Sequence, residues 1–301
     1  MRDIFFHFRK NCSCASLPGG LELGMTLSER NTFFKAGIVF CSVFTLLMLG
    51  ASVFTVPLYR GTDYGMPSIM EENTLRPGFA FLSSSYFAVH ASLAASVLFS
   101  LIGIILVHYF FERTSTPEIL YIVIFIISFA FEAIRLFLPL HFILNFSLFY
   151  VQTAWRFLLF ARVFGIFSLF AAGLCAAGLD VQKTRNVIFI IFIAAIVTTM
   201  GVPVDVLNWD TSFNLNNGYS SIFRIIGAVV FVTTMINFLI AAKIRGSREY
   251  GYVAAGVALA FAGRSVLLGT DNWIGPVFGV LLLSFGTWFL CSKLHKIHLW
   301  L

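Results

Sequence analysis

Apolar positions in this chain fall into long unbroken runs and do not alternate with polar ones. Eight runs stand out: Ala36 to Val56, Tyr86 to Phe110, Ile119 to Pro139, Val151 to Ala177, Val187 to Pro203, Ile222 to Ala242, Gly251 to Leu268 and Ile274 to Cys291. A helix needs about 20 mostly apolar residues to cross the hydrocarbon core. Strands of a membrane barrel would instead alternate over about 10 residues. The pattern therefore predicts an all-α fold, a polytopic integral membrane bundle of eight transmembrane helices. Phe137 to Val151 has His141 and Asn145 as its only strongly polar side chains, and it reads as a tight outer hairpin. The alternative is one long helix running into the next. Thr270, Asp271 and Asn272 form the turn between the last two spans.

The polar segments between the runs set an orientation, because Lys and Arg stay on the cytoplasmic side. With the N-terminus inside, the inner segments hold Arg2, Arg9, Lys10, Arg30, Lys35, Arg113, Lys183, Arg185, Lys243, Arg245, Arg248, Lys293 and Lys296. The outer loops hold only Arg60 and Arg76. The expected topology is N-in and C-in in the cell's inner (cytoplasmic) membrane. Residues 1–35 form an inner tail, 36–291 the bundle and 292–301 a second inner tail. Met25 begins Met25-Thr-Leu-Ser-Glu-Arg and is a plausible alternative start, the rival being a basic tail on the anionic inner leaflet.

Composition agrees with this class. Of the 301 residues 59% are hydrophobic and 11% charged, against roughly 25% charged in soluble domains, and 36 are Phe. A water-soluble globule of this size has no way to hide so much apolar surface. Disorder is excluded on the same grounds. Nucleic-acid binding is excluded despite the net charge of +6, because the basic residues lie between apolar runs and form no solvated face. Cys12, Cys14, Cys41, Cys175 and Cys291 show no metal-ligand spacing and lie outside the outer loops, so neither zinc nor a structural disulfide is expected.

The informative residues are the charges inside the runs: Glu132, Arg135, Arg156, Arg162, Arg224 and Arg264. Ionised groups at the bilayer centre cost at least about 2.5–3.5 kcal/mol, and they normally face the bundle interior. At 1.5 Å per residue, Glu132 and Arg264 rise about 20 Å from the inner side and Arg135 about 24 Å. Arg156 lies roughly 8 Å and Arg162 roughly 17 Å below the outer side, and Arg224 sits within a turn of it. Five arginines thus share one span carboxylate. Glu132 pairs with Arg135 at i,i+3, or bridges to Arg162 or Arg264 on a neighbouring helix. Asp205, Asp210 and Asp271 are within reach of the outer rim.

Three readings of this set compete. Arg135, Arg156 and Arg224 snorkel to lipid phosphates. Alternatively, the arginines pin helices through ion pairs and carbonyls. In the third, they line an outward-facing site for an anionic or polyhydroxyl ligand, since Arg recognises carboxylate and phosphate bidentately. The loop Val204 to Ser220, rich in Asp and Asn, reads either as a lid over that site or as ordinary solvated loop. The loop Pro57 to Gly78 is read in the same way.

Further patterns concern packing. Arg162-Val-Phe-Gly165 and Arg224-Ile-Ile-Gly227 repeat Arg-x-x-Gly. Small residues crowd the seventh run, which places it centrally, and Gly275 and Gly279 form a GxxxG. The chain lacks GxxxxGK[ST], HExxH and GxSxG, and its His residues are scattered. No cofactor is expected. The leading expectation is non-enzymatic binding of a small anionic or lipid-phosphate ligand by Arg162, Arg264, Glu132, Arg135, Arg156 and Arg224, for sensing or transport. The alternatives are a structural or assembly subunit and a transferase acting on a lipid-linked substrate. Expected partners are the bilayer, an anionic lipid or small anion, and a protein at the inner loops around Lys243 to Arg248.

Overall fold

The computed structural model describes residues 27–58, 81, 85–112, 116–144, 147–178, 184–210, 212–218 and 220–299. The chain folds as a helical bundle. Its helices are α1 (Leu27–Leu58), α2 (Tyr86–Phe111), α3 (Pro117–Ser128), α4 (Phe137–Leu144), α5 (Leu148–Ala177), α6 (Thr184–Met200), α7 (Ser220–Ile244), α8 (Glu249–Gly269) and α9 (Val280–Leu299). A 3-10 segment, Ala130–Leu136, joins α3 to α4, and a π turn, Gly275–Gly279, leads into α9. Among the described residues seven segments are long and apolar enough to cross a membrane, with α3, the 3-10 segment and the start of α4 counted as one. The apolar helix α6, at 17 residues, is shorter.

One departure from the sequence expectation concerns a connection. The third run does not turn near Phe137. It continues through the 3-10 segment into α4 as far as Leu144, and α5 starts at Leu148. Helix thus extends well into the stretch Phe137 to Val151 from both sides, and His141 is helical. Ser147 caps α5 by accepting a hydrogen bond from the Phe149 N–H at 3.4 Å. Beside the helices there is one short piece of sheet among the described residues. The segment after α6 forms an antiparallel hairpin, β1 (Val204–Trp209) with β2 (Leu215–Asn217), pairing Val204 with Asn217 and Asp205 with Asn216. The loop Pro57 to Gly78, Met25, Cys12 and Cys14 lie largely or wholly outside the described residues.

Burial ranks the helices. In the most apolar stretch of the span Pro117–His141, 83% of residues are buried, against 44% for α8, 22% for α1 and 17% for α7. The centre of the bundle is thus α3 with its 3-10 continuation, and not the small-residue helix α8 as expected. Ile119, Leu120, Tyr121, Ile122, Val123 and Phe125 are all buried, which requires neighbours on every side of α3. The small residues of α8 serve a different purpose, a close seam with α9. A Cβ on Gly263 would run into the Leu283 backbone, and one on Gly286 into that of Ala260. Gly279, from the GxxxG, abuts Leu267 in the same seam, so this motif is used within the chain. Outward faces of α1, α6 and α7 carry exposed apolar side chains such as Leu46, Phe189 and Ile225, the surface a bilayer covers.

Side-chain bonds tie the connections at each end. At one end Arg30 donates to the Phe111 carbonyl at 2.8 Å and Arg245 to the Cys175 carbonyl at 3.3 Å. Glu249 there pairs with Lys293 and Lys296. Phe34 packs on His108 and Phe111 on His295, so the start of α1 and the end of α9 share this end. At the opposite end the Ser85 N–H donates to the Asp271 carbonyl, and Gly218 to Pro203. The hairpin lies at that second end.

Candidate functional site: a buried arginine cluster

The site forms where the central helix loosens into its 3-10 segment. A 3-10 helix has 3.0 residues per turn, so side chains at i and i+3 eclipse. Glu132 and Arg135 occupy such positions and point the same way. Arg135 Nη1 lies 3.6 Å from Glu132 Oε2, with both side chains almost fully buried. Arg162, near the middle of α5, grips the same carboxylate with two donors. Its Nε reaches Oε1 at 2.7 Å and its Nη2 reaches Oε2 at 2.6 Å. Both alternatives left open for Glu132 therefore hold, the pair within its own segment and the bridge to Arg162. This fork geometry is the strongest form of carboxylate recognition available to a side chain.

Arg264 completes the group from α8. It is 6% exposed and donates through Nη2 to the Arg162 carbonyl at 3.0 Å. Its guanidinium lies over the rings of Phe125 and Phe129, 5.9 and 5.8 Å from their centroids, one helical turn apart on the central helix. Gly165 makes room for Ser128 beside it. A Cβ there would run into Ser128 Oγ and stand 3.9 Å from Arg264 Nη1. The Arg-x-x-Gly pattern thus marks a contact at Gly165, whereas Gly227 faces open space.

The hairpin covers the cluster. Between its strands the Asp210 N–H donates to the Asn214 carbonyl at 2.8 Å and the Phe213 N–H to the Asp210 carbonyl at 2.9 Å. Phe213 takes φ +56°, left-handed backbone that costs a non-glycine residue about 1–3 kcal/mol. Its ring, fully buried and stacked 5.9 Å from that of Tyr86, holds it there. This turn aims the Ser212 carbonyl at Arg135 Nη2, which donates to it. Asn214 Oδ1 accepts from Arg162 Nη2 at 3.1 Å. Of the two readings of Val204 to Ser220, the covering segment fits these contacts, and a solvated loop does not.

Four of the six expected residues therefore meet, and two stand apart. Arg156 lies beside Met200, with Nη1 3.8 Å from Sδ, and Arg224 is exposed near the start of α7. Both sit toward the hairpin end of the bundle. Sequence reasoning missed Ser212, Ser128 and Trp155. Trp155 carries a readable signal, lying seven residues before Arg162 on the same helix face. Its ring lies 5.6 Å from the Arg162 guanidinium.

Charge in the cluster is unbalanced. Three guanidinium groups share one buried carboxylate, an excess of two positive charges. Asp210, exposed at the hairpin turn, acts on Arg135 electrostatically and offsets part of it. Arg135 Nε and Arg264 Nη1 are buried and have no hydrogen-bond partner among the described residues. Arg162 keeps 19% of its side chain exposed. The arrangement can attract an anion and offer it donors. Comparison with family models, curated proteins and solved structures found no match to this chain, so the site is read from its own geometry.

Proposed function

We propose that this chain is an eight-span protein of the cytoplasmic membrane, with both termini inside, whose arginine cluster binds an anionic group from the outer side. The reading takes α6 as a span. Its 17 residues extend about 26 Å, close to the roughly 30 Å hydrocarbon core. The shared end of α1 and α9 is compatible with an even number of crossings. Basic residues concentrate at that end, which makes it the cytoplasmic one under the positive-inside rule. The hairpin then faces outward.

One observation carries the binding proposal: three arginines gathered at bilayer depth around a single carboxylate, with buried guanidinium nitrogens left without partners. An intramembrane charge in excess of its counter-charges marks a functional site by default. The ligand is a small anion or a lipid phosphate. The hairpin would move aside to admit it, and the role is sensing or transport. A sensor would pass the change to a protein docked at Lys243 to Arg248, of which Arg245 is itself held by Tyr250 and Cys175.

The bidentate Glu132–Arg162 pair favours a second reading, in which the cluster only locks α3, α5 and α8 together. Thermal unfolding in detergent separates the two. Under the binding reading, a phosphate-bearing ligand raises the melting temperature of the wild type, and Arg264→Gln abolishes the rise while still melting cooperatively. Under the locking reading, no anion shifts the wild type.

A further inference from the structure

Next to the cluster the bundle is open on its apolar side. A cavity of about 360 Å³ lies between α1, the central helix and α5, within the size range of small-molecule pockets. Its walls include Ala36, Phe40, Ile127, Phe131 and Phe164, and the one polar residue among them is Ser128. Three points join it to the arginines. Phe131 lines the cavity and precedes Glu132. Ala161 lines it and precedes Arg162. Ser128 Oγ and Arg264 Nη1 both converge on the missing Cβ of Gly165.

Depth orders the two features. Along α1 the lining residues fall 6 to 13 positions after Leu27, about 9–20 Å from that end of the bundle. Arg162 stands 15 residues before the end of α5, about 22 Å from the same end. The cavity thus begins level with the cluster, where Phe131, Phe160 and Ala161 line it, and runs deeper along α1, with the cationic cluster beside its shallower end beneath the hairpin. A molecule that fits both is charged at one end, apolar at the other, and enters from the leaflet at the hairpin end. A free anion would leave the cavity unused, and a neutral tail would leave the excess positive charge unanswered.

Resting on the anion-binding reading above, we infer that the ligand is an anionic phospholipid, its phosphate on Arg162 and Arg264 and one acyl chain in the cavity lined by Ala36 and Phe131. The phosphate meets Arg162, the cluster member with a partly exposed side chain, and approaches Arg264 Nη1, which has no hydrogen-bond partner among the described residues. The chain runs past Ser128 toward the middle of the bilayer. Acyl contact with apolar walls supplies affinity, and the guanidinium groups select for charge.

The test is thermal unfolding of the full chain in a neutral detergent, with four probes: phosphatidylglycerol, phosphatidylcholine, diacylglycerol and glycerol 3-phosphate. Two variants accompany the wild type. Ala36→Phe places a ring in the cavity from an exposed position of α1, and Arg162→Gln weakens the headgroup site. Phosphatidylglycerol should stabilise the wild type more than any other probe. Ala36→Phe should melt like the wild type without lipid and bind phosphatidylglycerol about tenfold more weakly, the worth of about two methylene groups withdrawn from an apolar wall. Arg162→Gln should erase the preference for phosphatidylglycerol over phosphatidylcholine. Equal stabilisation by glycerol 3-phosphate and phosphatidylglycerol, unaffected by Ala36→Phe, would overturn the lipid assignment and leave the anion site standing. Equal stabilisation by all three lipids, or by none of the four probes, would overturn both.

Discussion

Glu132→Gln is the most exposing single change in this chain. Gln keeps the shape of the side chain and removes the one carboxylate that Arg135 and Arg162 contact directly. Removing one partner of a buried pair costs about 3–5 kcal/mol, because the surviving charge stays buried. Here the survivors are three guanidinium groups, two of them almost fully buried. Arg162, at 19% exposure, recovers some solvation, so the lower end of the range applies. A loss of about 3 kcal/mol corresponds to a fall in melting temperature on the order of 6–12 °C, at about 2–4 °C per kcal/mol. The assay is a melt in detergent followed by size-exclusion retention, alongside Arg162→Gln and the double variant. The double variant should recover part of the loss, with a coupling of about 1–3 kcal/mol. A single variant that melts within about 1 °C of the wild type would refute the argument that Glu132 holds the cluster.

Other sites give sharper contrasts. Arg224→Gln, on an exposed face, should leave stability within about 0.5 kcal/mol of the wild type, checked in the same melt. Gly263→Leu should force α8 from α9 and cost at least about 1–3 kcal/mol, with no effect on the relative affinities of anions and neutral lipids. Phe213→Ala should cost up to about 3–5 kcal/mol and loosen the hairpin, seen as faster hydrogen exchange at Asp210 to Asn214. For topology, Asp210→Cys should react with an impermeant thiol reagent on intact cells and Glu112→Cys should not, in a chain whose native cysteines are replaced by Ser. The reverse pattern would invert the orientation.

Much of the bundle was legible because hydrocarbon imposes a simple rule: a spanning segment must be apolar over its whole length. Runs such as Tyr86 to Phe110 and Val151 to Ala177 correspond to α2 and α5 nearly residue for residue. The same uniformity hid the end of the third run, since Phe137 to Leu144 is apolar whether helical or turning. Periodicity also failed to find the centre. In lipid both faces of a helix are apolar, so the burial of α3 leaves no mark in its sequence. Cost alone made the intramembrane charges conspicuous, but it also left Arg135 grouped with Arg156 and Arg224 as a snorkelling candidate, whereas Arg135 is buried beside Glu132. Arg156 and Arg224 stand apart, because near the interface an arginine reaches water or phosphate without a protein partner. The hairpin was only half legible. Asn214 was visible as a polar loop residue, but the Ser212 carbonyl is backbone, and its aim depends on the φ of Phe213.

The most direct test of the central claim is a melting titration with phosphatidylglycerol on the wild type and on Arg264→Gln. A ligand specific to the folded state adds about 2.7 kcal/mol at 100 times its dissociation constant. The account expects the wild type to rise by that order and the folded variant to rise no more than it does with phosphatidylcholine. Identical titrations of the two proteins would contradict it, and the cluster would then be a lock between helices and not a binding site.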